Sequence, residues 1–290
     1  MTSARIFILT LMAMTAFAGN SLLCRLALKQ TSIDAASFTF IRILSGAIAL
    51  WIIVRIRKGT REQAGSWPSA LALFAYAAAF SFAYLSLSAG TGALLLFGAV
   101  RATMIVWGLR KGERLRFLQW AGLALALGGL VVLLFPGLSA PPVGGSILML
   151  GAGIAWGVYS LRGKTAGDPA SATAGNFLRA VPMAAVLSVS FLPWTRLDSA
   201  GVGFAILSGA IASGVGYAIW YTALPGLKAA SAATVQLSVP VLTAVGGILF
   251  LGESITPRFV FATVAVLGGI ALVVLESRRA LVAAETRRIE

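Results

Sequence analysis

Residues 112–129, GERLRFLQWAGLALALGG, return in altered form as residues 252–269, GESITPRFVFATVAVLGG. In each, a Gly-Glu pair is followed 16 residues after its glycine by Gly-Gly, an offset of 140 throughout. The same offset sets Leu87, Ala89, Thr91 and Ala93 beside Leu227, Ala229, Ser231 and Ala233. Further upstream the register slips by three and pairs Phe40-Ile41-Arg42 with Phe177-Leu178-Arg179. Gly, Ala and Leu are abundant enough to match by chance, but the Gly-Glu pairs are not. The chain is one unit written twice.

Outward from these stretches lie apolar runs of about 20 residues, the length that crosses a hydrocarbon core. They fall at 6–28, 35–54, 68–88, 91–109, 118–135, 144–161, 172–192, 202–224, 229–251 and 259–275. Backbone in lipid must satisfy its own hydrogen bonds, and these runs are too long and too unalternating for barrel strands. The expected fold is all-α: a polytopic membrane protein of ten transmembrane helices. Its halves are 1–136 and 137–276, each of five helices, with 277–290 as a cytoplasmic tail. An odd helix number per half reverses the second half in the bilayer, giving inverted repeats. A signal-peptide reading of 6–18 is set aside, since cleavage would remove the partner of the sixth helix.

Composition agrees with this class. Hydrophobic residues make up 59% of the chain and charged residues 11%, with a mean hydropathy of +0.92. Soluble domains run at about 45–50% apolar and about 25% charged. A net charge of +14 would suggest nucleic acid in a soluble protein, but here the cations sort by loop. With the amino terminus in the cytoplasm, Arg5, Arg55, Arg57, Lys58, Arg61, Arg110, Lys111, Arg114, Arg116, Arg162, Lys164, Lys228, Arg278, Arg279, Arg287 and Arg288 lie inside. Only Lys29, Arg196 and Arg258 fall outside, so both termini are expected in the cytoplasm, on the inner side of a bacterial cell membrane. Cys24 is alone, so no intrachain disulfide forms.

Four arginines remain, Arg25, Arg42, Arg101 and Arg179, inside apolar segments whose depths hold no Asp, Glu or His. Each costs about 2.5–3.5 kcal/mol at bilayer depth on insertion scales, so a polar or protein-lined interior is required. An interior of one sign favours anionic or zwitterionic solutes. Arg25, Arg42 and Arg179 are expected to snorkel or to bond helix-end carbonyls. Arg101 lies too deep for that and is the candidate for a substrate carboxylate, which a guanidinium grips in its plane.

The loop Gly-Glu after the fourth and ninth helices, with Gly-Gly in the fifth and tenth, in two halves of about 140 residues, resembles the drug/metabolite transporter superfamily and its ten-helix EamA-type members. The resemblance covers nearly the whole chain and is closest to bacterial exporters of aromatic and other amino acids. It implies two inverted five-helix repeats, a central substrate cavity and efflux across the inner membrane. That pattern commonly has a proline in the fourth helix of both repeats; Pro240 matches the second, whereas the first has Val100-Arg101.

Polarity separates scaffold from cavity. Segments 118–135 and 259–275 are almost wholly apolar and are expected to face lipid, with Trp120 near an interface. The first, third, fourth, sixth, eighth and ninth segments carry the candidate substrate-binding residues: Asn20, Tyr76, Tyr84, Arg101, Trp156, Tyr159, Tyr217, Trp220, Tyr221 and Gln236. Ser21, Ser81, Ser160, Thr234 and Ser238 accompany them. Tyr217, Trp220 and Tyr221, at i, i+3 and i+4, share a helix face that suits a planar or apolar side chain. Gly153 with Gly157, and Gly209 with Ser213, allow close helix packing. Pro182 and Pro240 are candidate gating kinks.

The chain shows no Walker motif, metal cluster or nucleophile-base pair, so neither an enzyme nor a cofactor is expected. The partners expected are a small-molecule substrate and the lipid bilayer, not nucleic acid. The nearest carboxylates, Asp34, Glu113, Asp168 and Glu253, fall at helix ends or loops, which speaks against a proton relay. The alternatives are a carrier of phosphorylated or nucleotide-linked metabolites and, further off, a channel.

Overall fold

The computed structural model describes residues 3–58, 65–112, 115–137, 140–163, 168–227 and 235–289, with side chains described through Arg57 in the first stretch and Glu276 in the last. Of the residues named above, Arg61, Glu113, Arg114, Lys164, Lys228, Ala229, Ser231, Ala233 and Thr234 lie outside the described residues.

The first repeat holds α1 (Ser3–Gln30), α2 (Ala35–Lys58), α3 (Trp67–Ala83), α4 (Ala89–Arg110) and α5 (Phe117–Leu134). The second holds α6 (Val143–Gly163), α7 (Pro169–Ser190), a composite α8 (Ser199–Gly226), α9 (Ser238–Leu251) and α10 (Pro257–Ile289). The spans are all-helical, and eight of these helices are long and apolar enough to cross a membrane. The helices α3 and α9, as described, are shorter. Large apolar side chains stay exposed around the perimeter, among them Phe7, Ile56, Phe117, Val131 and Leu249. A surface of that character requires lipid rather than water.

Packing follows the repeat. The helices α2 and α7 lie together, as do α4 with α9 and α5 with α10. Cross pairs come in matched sets: α1 packs on α8 and α9, and α6 packs on α3 and α4. This is the arrangement of two inverted five-helix repeats. In the α5–α10 seam only one glycine of each Gly-Gly pair is needed for contact. A Cβ on Gly129 would lie 2.8 Å from the Ala265 Cβ, whereas Gly128 and Gly268 face open space. Gly269 and Gly122 bring the two backbones together, and a Cβ on Gly122 would stand 2.6 Å from the Gly269 carbonyl oxygen.

The Gly-Glu pair also has a structural reading. Gly252 closes α9 at φ +61, a left-handed conformation that a glycine adopts without steric cost, and the Glu253 N–H bonds the Gly247 carbonyl at 3.1 Å. Gly112 holds φ +88 at the matching end of α4. The Glu253 carboxylate then reaches into the other repeat, accepting from the Ala89 N–H at 2.8 Å at the start of α4. A second tie joins the repeats on this same face, where Asp34 accepts from the Arg196 N–H at 3.0 Å while capping α2 through the N–H groups of Ala36 and Ser37. Burial raises the Asp34 carboxyl, but the Ser37 N–H and hydroxyl, with the Arg196 and Ala36 N–H groups, outweigh it and hold the group below its ordinary range.

The structure adds four details to the sequence reading. The eighth span is not a uniform α-helix: Leu207–Val215 is π-helical, and here Gly209 presses on the Arg42 carbonyl and Ser45 Oγ of α2. Pro240 does not kink the middle of a helix. It sits in the first turn of α9, where its ring opposes the Gln236 carbonyl, and that carbonyl instead accepts from the Val239 N–H at 3.2 Å, so the chain turns at Gln236–Leu237. Pro182 is inside α7 but exposed at the perimeter. The last helix continues without a break through residues 277–289, so the segment expected as a cytoplasmic tail is helical.

Candidate functional site

A cavity of about 550 Å³ lies between the repeats, and its walls come from α1, α3, α4, α6, α7 and α8 together with Gln236. Nine of the ten predicted site residues line it: Asn20, Tyr76, Arg101, Trp156, Tyr159, Tyr217, Trp220, Tyr221 and Gln236. Tyr84 does not. Its ring packs on Gly92 and its hydroxyl donates to the Ala89 carbonyl at 3.2 Å, which fastens the α3–α4 turn. Ser21 and Ser160 line the cavity, whereas Ser81 bonds the Ala77 carbonyl and Ser238 the Val235 carbonyl, both within their own segments.

Aromatic rings form one continuous wall. Trp156 stacks on Tyr159 with centroids 5.1 Å apart and on Tyr217 at 5.6 Å, and it meets Tyr76 at 4.8 Å. Tyr217 in turn lies 6.4 Å from Tyr221, and Phe17 contacts both Tyr217 and Trp220. The α-helical stretch Gly216–Ala223 keeps the i, i+3, i+4 spacing, so all three aromatics of α8 reach the cavity. Their hydroxyls are knitted by α7: Tyr159 donates to Thr173 Oγ1, Thr173 to the Tyr221 hydroxyl at 3.2 Å, and Asn176 Nδ2 to the Tyr159 hydroxyl. The sequence reading left α7 out of the cavity. Thr173 and Asn176, polar and three residues apart in an apolar helix, were the signal for it.

Positive charge enters from α4, where Arg101 Nη2 donates to Gln236 Oε1 at 2.8 Å, joining the fourth helix of one repeat to the turn that precedes α9. Among the described residues that line the cavity, none is acidic. The cavity runs to the ends of α6, α7 and α8 at Gly163, Pro169 and Leu224, on the face that carries the basic loops.

The opposite face is tied shut. Of its two expected roles Arg25 takes the bonding of helix-end carbonyls rather than snorkelling: its Nη1 donates to the carbonyls of Tyr84 and Leu85 at the end of α3, at 2.7 and 3.2 Å, and its Nε lies 3.3 Å from Glu253 Oε1. An embedded arginine thus has an acidic companion from the other repeat, contrary to the sequence expectation. Lys29 bonds the Leu251 carbonyl, and Arg179 bonds the Gly175 carbonyl in its own helix. Arg42 neither snorkels nor meets a helix-end carbonyl. It is 2% exposed and lies over the rings of Phe80 and Tyr76. Beyond Arg25 and Glu253 lies a separate cleft of about 400 Å³ that opens on the opposite face.

Inverted five-helix bundles around a solute-sized cavity, closed on one face, define a membrane transporter. The chain belongs to the EamA-like transporter family, whose profile matches residues 4–135 and again 143–275, once per repeat. An uncharacterized protein of Pseudomonas aeruginosa is 58% identical over 94% of this chain and 96% of its own length. The uncharacterized transporter YwfM of Bacillus subtilis is 26% identical over 80% of this chain and 81% of its own. The threonine/homoserine exporter RhtA of Escherichia coli is 35% identical over 39% of each chain. A crystal structure at 22% identity superimposes with a TM-score of 0.64 over 92% of this chain and 98% of that one, a likeness of fold alone.

Proposed function

We propose that this transporter exports amino acids, aromatic and other apolar ones, or similar small zwitterionic metabolites, across a bacterial inner membrane by alternating access. The observation that carries this reading is the central cavity, with a stacked aromatic wall for an apolar body, Arg101 for a carboxylate, and no acidic lining among the described residues. Aromatic surface of this kind binds amphipathic bodies while tyrosine and tryptophan supply polar handles. The name of RhtA as an amino-acid exporter supports the same class.

Both termini are cytoplasmic by the distribution of loop cations, so the cavity opens to the cytoplasm and the Arg25–Glu253 face is external. Rocking of the repeats 1–136 and 137–276 about the midplane then exposes the solute outside. Pro240, whose ring forces the turn beside Gln236, is the gating candidate; Pro182, at the perimeter, flexes α7 only indirectly. The protein carries a solute and performs no chemical conversion on it. The solute moves down its own gradient or by exchange, since no carboxylate lies among the described cavity residues.

The test is a proteoliposome uptake panel of labelled amino acids against sugar phosphates, with wild type and Arg101→Ala. Uptake of amino acids, lost selectively for carboxylated solutes in the variant, supports the reading. Preference for sugar phosphates would favour the carrier of phosphorylated metabolites, and uphill transport driven only by a proton gradient would overturn the uncoupled mechanism.

A further inference from the structure

The hydrogen bonds around Tyr76 leave its own proton without an acceptor among the described residues. The hydroxyl oxygen accepts from Asn20 Nδ2 at 3.3 Å and from Arg42 Nη2 at 3.1 Å. A hydroxyl oxygen has two acceptor positions, so both are occupied and its O–H points away from both donors. Asn20 is held in this role from behind, because its Oδ1 accepts from Ser208 Oγ at 2.7 Å in the π-helical part of α8. Four helices from both repeats therefore fix the orientation of one hydroxyl on the cavity wall.

Arg42 is the unusual member of this group. Its guanidinium carbon lies 4.9 Å from the Phe80 ring centroid and 5.4 Å from that of Tyr76, and its Nη1 is buried with no hydrogen-bond partner among the described residues. Tyr76 lines the cavity, whereas Arg42 stands behind it. A buried cation acts strongly on the nearest polar group, since little solvent screens it. Its donation to the phenolic oxygen draws charge from that oxygen and strengthens the O–H as a donor.

We infer that the Tyr76 hydroxyl is a carboxylate-binding donor of the cavity, and that Arg42 is a positioning residue which orients and polarises it. The inference rests on the amino-acid reading above and names a specificity contact beyond Arg101. A carboxylate offers several acceptor sites on two oxygens, so it takes a donor from α3 as well as one from α4. A solute whose carboxylate meets Tyr76 lies beside Trp156, whose ring centroid is 4.8 Å from that of Tyr76, so the charged and apolar ends of an aromatic amino acid are read at adjacent places. Neutral isosteres that lack the carboxylate gain less from this hydroxyl, because hydrogen bonds to an ionised acceptor are about twice as strong as neutral ones.

The experiment measures binding of phenylalanine and phenylalaninamide to purified protein in lipid nanodiscs by calorimetry, for wild type, Tyr76→Phe, Arg42→Met and Arg42→Lys. Tyr76→Phe keeps the ring against Trp156 and Phe80 and removes only the hydroxyl. The preference for the acid over the amide should fall about tenfold in Tyr76→Phe and by a similar factor in Arg42→Met, with partial recovery in Arg42→Lys. The preference is a ratio within one preparation, so loss of folded protein does not move it. An unchanged ratio in Tyr76→Phe, or a wild type that binds both compounds equally, overturns the assignment and leaves the transporter reading intact. A wild type that binds neither compound overturns the amino-acid reading and this assignment with it.

Discussion

The α5–α10 seam and the walls of the central cavity use the same lipid-compatible alphabet to opposite ends. In the seam, Gly122, Gly129 and Gly269 bring two backbones into contact, and charged side chains tie its two ends, Arg116 Nη1 meeting Glu276 Oε1 at 2.7 Å at one and Arg258 Nη1 donating to the Phe135 carbonyl at 2.6 Å at the other. In the cavity, tyrosines, tryptophans and an arginine line open space, their rings stack, and the Tyr159 and Tyr221 hydroxyls and the Arg101 guanidinium bond the side chains of Thr173, Asn176 and Gln236. Dispersion and close approach stabilise the first region, as expected where lipid removes the hydrophobic drive between helices. Directed hydrogen bonds and ring stacking stabilise the second, at the cost of leaving space. The difference separates substitutions that unfold the protein from those that alter what it carries.

The largest effect is expected in the seam. Gly122→Val adds atoms where a Cβ already stands 2.6 Å from the Gly269 carbonyl, so the helices must separate. Overpacking of this kind costs about 1–3 kcal/mol or more. The folded yield and the melting temperature should drop together, measured by size-exclusion recovery after heating. Gly128→Val, six residues on in the same helix but facing open space, should leave both unchanged. Equal damage from the two would erase the assignment of the seam.

Trp156→Ala probes the other region. The ring is stacked on two tyrosines and lies close to a third, so its removal should raise the KM for aromatic solutes about tenfold while folded yield stays near that of wild type. A change in yield without a change in KM would make this wall structural and blur the comparison.

Much of this division was legible in the chain. The Gly-Glu and Gly-Gly repeat gave the inverted bundles, and the clustering of Tyr, Trp and Gln in some segments and not others gave most of the cavity wall. What was hidden depended on direction rather than on content. Tyr84 has the same composition signal as Tyr76, yet it turns into the α3–α4 connection because Gly92 leaves room for its ring. Arg25 and Glu253 are 228 residues apart, and only the fold of one repeat against the other brings them together. The π-helical turn in α8 has no mark in hydropathy, since it changes backbone pairing and not side-chain type.

Smaller effects belong to the closed face. Glu253→Gln removes the charge that Arg25 faces, and for a pair about one-tenth exposed on each side the loss should be about 1–2 kcal/mol, discounted for residual solvent. A fall of several degrees in melting temperature, absent from the Arg25→Gln/Glu253→Gln double variant relative to Arg25→Gln alone, would identify the pair as the cause. The least effect is expected from Asp34. Its carboxyl is held below the ordinary value in the folded chain, so its contribution is present above the unfolded value of about 3.9 and is lost as pH falls through the folded one. The difference in melting temperature between wild type and Asp34→Asn should therefore persist at pH 6 and shrink below about pH 4. A difference that grows on acidification would reverse that sign.

The central claim is that solute occupies the cavity between the repeats. Ala172 lines that cavity, and the native Cys24 is buried with no exposed surface. The measurement is the rate at which a membrane-impermeant thiol reagent, applied from the cytoplasmic side, modifies Ala172→Cys in a Cys24→Ser background, with and without transported amino acid. The predicted result is modification that the amino acid slows in proportion to its affinity. Modification at one rate with and without amino acid, in a protein that still transports, would place the solute elsewhere.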